Sequence, residues 1–178
     1  MSIYFGGSRS LPSSPIVGQV VQAVQAAGQS VHVGCQFGAD QQVISHIASF
    51  LSPSSLIVFA VAPTPATSPH HVQFAAYAGA RVVFSAGGQS APMPARYLLR
   101  SIAAFQGCSQ AVFFSPGPGS LAVAREAVKA GIPVFAFGTP RSGSPAPVPS
   151  SVGFWVESSF QSFPCWQWQV TVIQPGLF

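Results

Sequence analysis

The chain has 178 residues, enough for one domain with a sizeable core. Only 6% of the residues are charged and the net charge is +4 with no adjacent cations, which excludes a polybasic nucleic-acid arm and favours anionic ligands only weakly. No stretch reaches the roughly 18 apolar residues of a membrane span and no signal-peptide pattern is present, so we expect a cytoplasmic protein with no membrane partner.

Strand-like and helix-like segments alternate along most of the chain. The strand-like runs are "SIYFGG", "SVHVGC", "SLIVFAVAP", "ARVVFSAGG", "QAVFFSPGPGS" and "IPVFAFG". The segments with helical periodicity are 13–28, 40–51, 69–79, 94–106 and 120–130. This alternation is typical of right-handed crossovers between parallel strands, so it predicts an α/β fold, a Rossmann-like three-layer sandwich with a mostly parallel sheet.

The pattern changes near the C-terminus. We assign residues 1–139 to the Rossmann-like domain and residues 140–178 to a Pro/Ser-rich connector and an aromatic C-terminal extension packed on the same domain. The extension, "GFWVESSFQSFPCWQWQVTV", is predicted to add one or two strands. Its tryptophans suit core packing, a roof over a pocket or a dimer contact, so a homo-oligomer stays open as a partner.

The sequence indicates neither a metal site nor a cofactor. Cys35, Cys108 and Cys165 are odd in number and widely separated, which argues against a disulfide scaffold and a zinc site and predicts buried thiols. His70 and His71 begin a predicted helix, but no spacing supplies the third ligand that a metal needs.

The carboxyl ends of the predicted strands form the expected ligand edge, because ligands of open parallel sheets bind there. Four charged residues are predicted at this edge: Arg9, Asp40, Arg96 and Arg141. Arg100 lies one helical turn beyond Arg96 on the same face. Arg81 begins a strand and therefore belongs to the opposite edge.

Three glycine-rich turns, at residues 6–10, 34–40 and 116–120, lie where predicted strands pass into helices. Glycines let a ligand approach the backbone, and the N–H groups at the start of a helix attract anions. The candidate ligand-binding residues are Gly7, Ser8, Arg9, Gly34, Gly38, Asp40, Arg96, Gly117, Gly119 and Ser120. For Asp40, a helix-capping role and a contact with a ribose hydroxyl both remain open. Neither the Gly-x-Gly-x-x-Gly fingerprint with its ribose-binding acid nor the P-loop motif is present, which disfavours ordinary dehydrogenases and P-loop enzymes.

Four motifs occur along the chain in the order in which a known superfamily has them. They are Gly7-Ser8-Arg9, the Gly-x-x-x-Gly-Ala-Asp of residues 34–40, Arg96 in "ARYLLRSIAAFQGCSQAVFF", and "GPGSLAVAREAVKAGIPVFAF". Together they resemble the SLOG superfamily, which joins the Rossmann domains of DNA-processing protein A (DprA/Smf) to the Lonely Guy proteins. The resemblance covers residues 2–138 and is closest to the DprA side over residues 117–138.

The resemblance implies different functions on its two sides. Lonely Guy enzymes release a base from a nucleoside monophosphate with an acid directly after the glycine-rich turn, whereas Ala122 and Val123 stand there in this chain and Glu126 falls on another helix face. DprA proteins bind single-stranded DNA, and other SLOG domains sense nucleotide-derived signals. We expect binding of a nucleotide or other phosphate-containing small molecule, with no catalytic residue assigned. The alternatives are single-stranded DNA binding of the DprA type and a nucleotide hydrolase of the Lonely Guy type.

Overall fold

One eight-stranded sheet runs through the described residues, 1–138 and 143–171, of this computed structural model. The strands are β1 (Ser2–Gly7), β2 (Ser30–Val33), β3 (Leu56–Phe59), β4 (Arg81–Val83), β5 (Gln110–Phe114), β6 (Val134–Phe137), β7 (Gly153–Phe160) and β8 (Phe163–Val170). The α-helices are α1 (Pro15–Ala26), α2 (Ala39–Phe50), α3 (His70–Tyr77), α4 (Met93–Phe105) and α5 (Pro118–Lys129).

The sheet order is β4-β3-β2-β1-β5-β6-β8-β7, and β1 to β6 are all parallel. Buried side chains of α1, α2 and α3 pack on one face of the sheet, and those of α4 and α5 pack on the other. The predicted α/β fold, a Rossmann-like three-layer sandwich with a mostly parallel sheet, is confirmed. All five predicted helices form.

Helix α5 begins at Pro118, two residues earlier than predicted from the apolar pattern. Proline fixes its own φ near the helical value and lacks an N–H that the first turn could not have paired, so Pro118 suits the first helical position. The earlier start places Gly119 and Ser120 inside the first turn of the helix rather than in the preceding loop.

The C-terminal extension contributes two antiparallel strands, within the predicted one or two. β8 pairs with β6, and the β7–β8 hairpin turns through Gln161 and Ser162, which both have positive φ as a two-residue hairpin turn requires. Trp168 is buried and packs edge-on against Trp155, with ring centres 5.2 Å apart.

The three cysteines are buried, as predicted, so they form part of the packing. Across residues 1–138 and 143–171, no helix is long and apolar enough to cross a membrane.

The side of the sheet to which successive strands are added switches at β1. Strands β2, β3 and β4 extend to one side of β1, and β5 and β6 extend to the other. The loops after β1 and β5 therefore leave the sheet in opposite directions and open a crevice between their carboxyl ends, where ligands of such sheets bind.

Candidate ligand-binding cleft

A cleft of about 530 Å³ opens at this crevice. Its walls come from the loop after β1, the first turn of α5 and the inner face of α4. Seven of the ten candidate residues line it: Gly7, Ser8, Arg9, Asp40, Gly117, Gly119 and Ser120. Gly34, Gly38 and Arg96 do not.

The loop after β1 is held in place by backbone contacts on two sides. The N–H of Ser8 donates to the carbonyl of Phe114 in β5 (3.0 Å), and the carbonyl of Ser8 accepts the N–H of Ala39 in α2 (3.0 Å). Gly7 must be glycine because a Cβ there would collide with the carbonyl oxygen of Phe114 and with the side chain of Ala39. The loop therefore presents Arg9 from a fixed backbone.

Arg9 is exposed at the mouth of the cleft. Its guanidinium carbon lies 5.0 Å from the centre of the Tyr97 ring, and that of Arg100 lies 5.8 Å from the same ring. Such distances are typical of cation–π contacts. Among the described side chains Arg9 has no acidic partner, so its charge is available to a ligand.

The N-terminus of α5 faces the cleft without a side-chain cap from the described residues. A Cβ placed on Gly117 or Gly119 would meet no atom within 4 Å, so both glycines border open space. The Ser120 hydroxyl donates to the carbonyl of Gly7 (2.6 Å) and joins the first turn of α5 to β1. Because the first N–H groups of a helix have no partner within the helix and carry partial positive charge, this end suits an anion.

A buried ion pair forms the floor of the cleft. Oδ2 of Asp40 accepts hydrogen bonds from Nη1 of Arg100 (3.2 Å) and from the backbone N–H of Gln36 (3.1 Å). Asp40 therefore binds an N–H that precedes α2, which is close to the predicted capping role, but its main partner is Arg100. The side chain of Arg100 is 4% exposed, and its Nε is buried without a hydrogen-bond partner in the described residues.

The hydroxyl of Tyr4 belongs to the same floor. Burial, with the nearby Asp40 carboxylate adding to it, raises the pKa of Tyr4 to about 12, although the Arg100 charge acts in the opposite direction. Tyr4 thus stays protonated at neutral pH and keeps a hydrogen-bond donor beside the cleft.

Gly34 and Gly38 have packing roles instead of lining the cleft. A Cβ on Gly34 would overlap the guanidinium of Arg100. Gly38 has a φ of +74°, and a Cβ there would collide with the backbone carbonyls of Ser8 and Arg9. Gly34 therefore lets the Arg100 side chain pack against the backbone beneath the cleft, and Gly38 lets the loop of Ser8 and Arg9 do the same.

Arg96 lies in a second, adjoining cavity of about 300 Å³. Its Nε donates to the carbonyl of Gly88 (2.8 Å) and its Nη2 to that of Val61 (3.0 Å), so the guanidinium holds two loops together. Arg141, which the sequence also places at the ligand edge, is outside the described residues.

The two positions that follow the glycine-rich turn and Leu121 carry no acidic side chain in the cleft. They are Ala122 and Val123, which line the cleft where the acid of the Lonely Guy pattern would stand. Glu126 does not line it; its carboxylate binds Lys129 (3.2 Å) and Arg125 (2.8 Å) on the outer surface, and these hydrogen bonds lower its pKa.

The cleft residues that were not among the sequence candidates include Tyr4, Gln36, Tyr97 and Arg100. In the sequence, Tyr4 is indistinguishable from an ordinary core residue of a strand, and Tyr97 from an ordinary residue of a helix. Among these residues, Arg100 is the one for which the sequence gives an indication of a site role, because it follows Arg96 by one helical turn on the same face. Its pairing with Asp40 is not predictable in this way, since the two positions are 60 residues apart.

The fold resembles that of DNA processing protein A. The protein from Helicobacter pylori superposes with a TM-score of 0.60 at 15% identity, over 82% of this chain and 68% of that one. The one from Streptococcus pneumoniae gives 0.59 at 17% identity, over 80% of this chain and 52% of that one. The structural-genomics target TM1055 gives 0.54 at 14% identity, over 75% and 71%. At these identities the likeness concerns the fold alone. No protein-family model and no curated protein sequence matches the chain.

Proposed function

We propose that the cleft between the carboxyl ends of β1 and β5 binds a nucleotide or a nucleotide-derived ligand through its phosphate. The observation that carries this proposal is the convergence of Arg9 and the uncapped N-terminus of α5 on one cleft. An exposed cation and a set of helix N–H groups together suit phosphate oxygens.

The floor of the cleft provides independent support. Arg100 is almost fully buried, lines the cleft and has a buried Nε without a partner among the described residues. A buried donor without an acceptor costs free energy and is rare in native proteins, so its presence beneath the cleft calls for a functional reason. Its pairing with Asp40 leaves the buried floor close to neutral, so the net positive charge of the cleft comes from Arg9.

Single-stranded DNA binding is the second candidate function. The Helicobacter pylori protein with a similar fold binds single-stranded DNA, which favours a strand backbone as the phosphate source. Few cations are available for it, however. In residues 1–138 and 143–171, the arginines lining the two cavities are Arg9, Arg96 and Arg100, and two of the three are engaged by protein groups.

Isothermal titration calorimetry with AMP tests the proposal. Arg9→Ala should weaken binding by about tenfold or more, because a charge-assisted hydrogen bond contributes roughly 1.5–3 kcal/mol. Arg81→Ala is the matched control, since Arg81 is an exposed arginine at the start of β4, on the opposite edge of the sheet. Equal AMP affinity for the parent, Arg9→Ala and Arg81→Ala would contradict the proposal.

A further inference from the structure

The second cavity adjoins the cleft and shares two lining residues with it, Gln36 and Tyr97. It lies beyond the carboxyl ends of β2 and β3, and its volume is about 300 Å³. A ligand seated in the cleft can therefore extend past Tyr97 into this space. Neither the glycine-rich turns nor the proposed phosphate contacts account for it.

The walls of the second cavity are mainly apolar. They include Val61, Pro63, Pro69, Met93 and Phe37. Its arginine, Arg96, already donates Nε and Nη2 to backbone carbonyls, so it offers little to a phosphate. The cavity suits a flat, weakly polar ring better than an anion.

Phe37 supplies a surface for such a ring. It is 61% exposed, although large apolar side chains are usually buried, and it lines the cavity from the loop between β2 and α2. The ring of His71 packs edge-on against it, with ring centres 5.6 Å apart and an angle of 64°. His71 is itself buried and donates from Nε2 to the carbonyl of Cys35 (3.2 Å). The aromatic ring is thus held in place at the rim while much of it faces solvent.

Gln36 adds a polar contact at the junction of the two cavities. Its backbone N–H is used by Asp40, but its side-chain amide has no hydrogen-bond partner among the described residues. A primary amide has both donors and an acceptor, so it can pair with the edge of a base or with a ribose hydroxyl.

We infer that the second cavity binds the nucleobase of the ligand, stacked on Phe37, while the phosphate of the same ligand occupies the cleft. This inference rests on the proposed function and specifies the ligand as one with a base, rather than a free phosphate or a sugar phosphate. Stacking on an aromatic side chain tolerates different bases, so Phe37 sets the requirement for a base and Gln36 the preference among bases.

Calorimetric titration of AMP and of ribose 5-phosphate into three proteins tests the inference. The parent should bind AMP at least about tenfold more tightly than ribose 5-phosphate, and Phe37→Ala should lose about tenfold in AMP affinity with no change for ribose 5-phosphate. Phe50→Ala is the matched control, because Phe50 is 76% exposed and also packs against a histidine, His46, but lines neither cavity. It should bind both ligands as the parent does.

Three results would overturn the inference, and each has a distinct meaning. Equal AMP affinity for Phe37→Ala and the parent would show that no base stacks there. A parallel loss of both ligands would mean that Phe37 only supports the cleft. A dimer of the parent that dissociates in Phe37→Ala, seen by sedimentation, would make a second copy of the chain the occupant. If the parent binds neither ligand, the proposed function itself fails.

Discussion

The guanidinium of Arg100 and the carboxylate of Asp40 lie 3.2 Å apart beneath the cleft, in side chains that are 4% and 7% exposed. Burial is the largest single effect on Arg100 and lowers its pKa, but the Asp40 carboxylate, its hydrogen bond and the electrostatic effects of Cys35 and Tyr4 together outweigh burial, so the pKa of Arg100 is raised. The pair joins the start of α2 to the middle of α4 across the ends of the strands. It therefore fixes α4, one wall of the cleft, against the start of α2.

Asp40→Asn should lower the free energy of unfolding by about 3–5 kcal/mol, because it leaves the buried charge of Arg100 without its partner. Denaturant unfolding followed by circular dichroism measures the change. Glu126→Gln removes a carboxylate from a surface pair and should leave the transition unchanged. An Asp40→Asn protein that unfolds at the parent's denaturant concentration would show that the ion pair does not stabilise the fold.

Gly34→Ala should destabilise the protein by about 1–3 kcal/mol, since the new Cβ would overlap the Arg100 guanidinium and push it from its site. The melting temperature and the denaturation midpoint should both fall. Parent-like values would mean that Arg100 moves aside at no cost, and the cleft floor would then be far less rigid than its burial indicates.

Gly119→Ala, in contrast, should weaken AMP binding without destabilising the protein. The added Cβ meets no protein atom within 4 Å, and alanine favours a helix over glycine by roughly 0.5–1 kcal/mol, so stability should hold or rise. AMP affinity should fall, because the methyl group enters space beside the end of α5 where we propose that the phosphate binds. Calorimetry and thermal melting on the same sample separate the two effects, and unaltered AMP affinity would place the phosphate elsewhere.

Stability should fall as the pH decreases from about 7 to 5. Burial lowers the pKa of His71 and of His32 below the usual histidine value, although hydrogen bonds to backbone carbonyls act against the shift. The unfolded chain then binds protons that the folded chain does not, so the free energy of unfolding falls by up to about 1.4 kcal/mol for each unit by which the pH decreases, for each histidine.

Denaturant titrations at several pH values measure this slope. His71→Gln keeps a hydrogen-bond donor for Cys35 and should make the slope shallower, whereas His70→Gln, at the exposed neighbouring position, should alter it little. A slope that is the same in His71→Gln as in the parent would assign the acid sensitivity to other groups.

Salt dependence distinguishes the two candidate ligands. Single-stranded DNA bound through Z phosphates gives a log–log salt slope near −0.7Z, so Arg9, Arg96 and Arg100, even joined by Arg141, limit the slope to a magnitude of about 3. We expect weak oligothymidylate binding at physiological salt that AMP displaces. Fluorescence anisotropy measures both, and tight binding that persists at saturating AMP would favour the DNA function.

Most of the fold follows from local sequence patterns. Buried strands such as "VFAF" and helices with one apolar stripe, such as α1, are recognisable because hydrophobic periodicity is local, and their alternation predicts a parallel sheet. The positions of the glycine-rich turns at the carboxyl ends of the strands are also predictable, because they follow from the order of strands and helices alone.

The finer arrangement of the site depends on contacts between distant positions. The same glycine pattern predicts a ligand role for Gly34 and for Gly117, yet Gly34 makes room for Arg100 while Gly117 faces open space. Nothing in the sequence near Asp40 indicates that Arg100 is its partner. Likewise, Phe37 lies in a loop with no aromatic pattern, and only the folded chain places it beside a cavity.

A crystal structure of the protein with AMP at saturating concentration tests the central claim most directly. We expect the phosphate between the loop after β1 and the first turn of α5, within hydrogen-bond distance of Arg9 and of the N–H groups of Gly119 and Ser120. AMP bound elsewhere on the molecule, or an empty cleft at a concentration that saturates binding in solution, would contradict it.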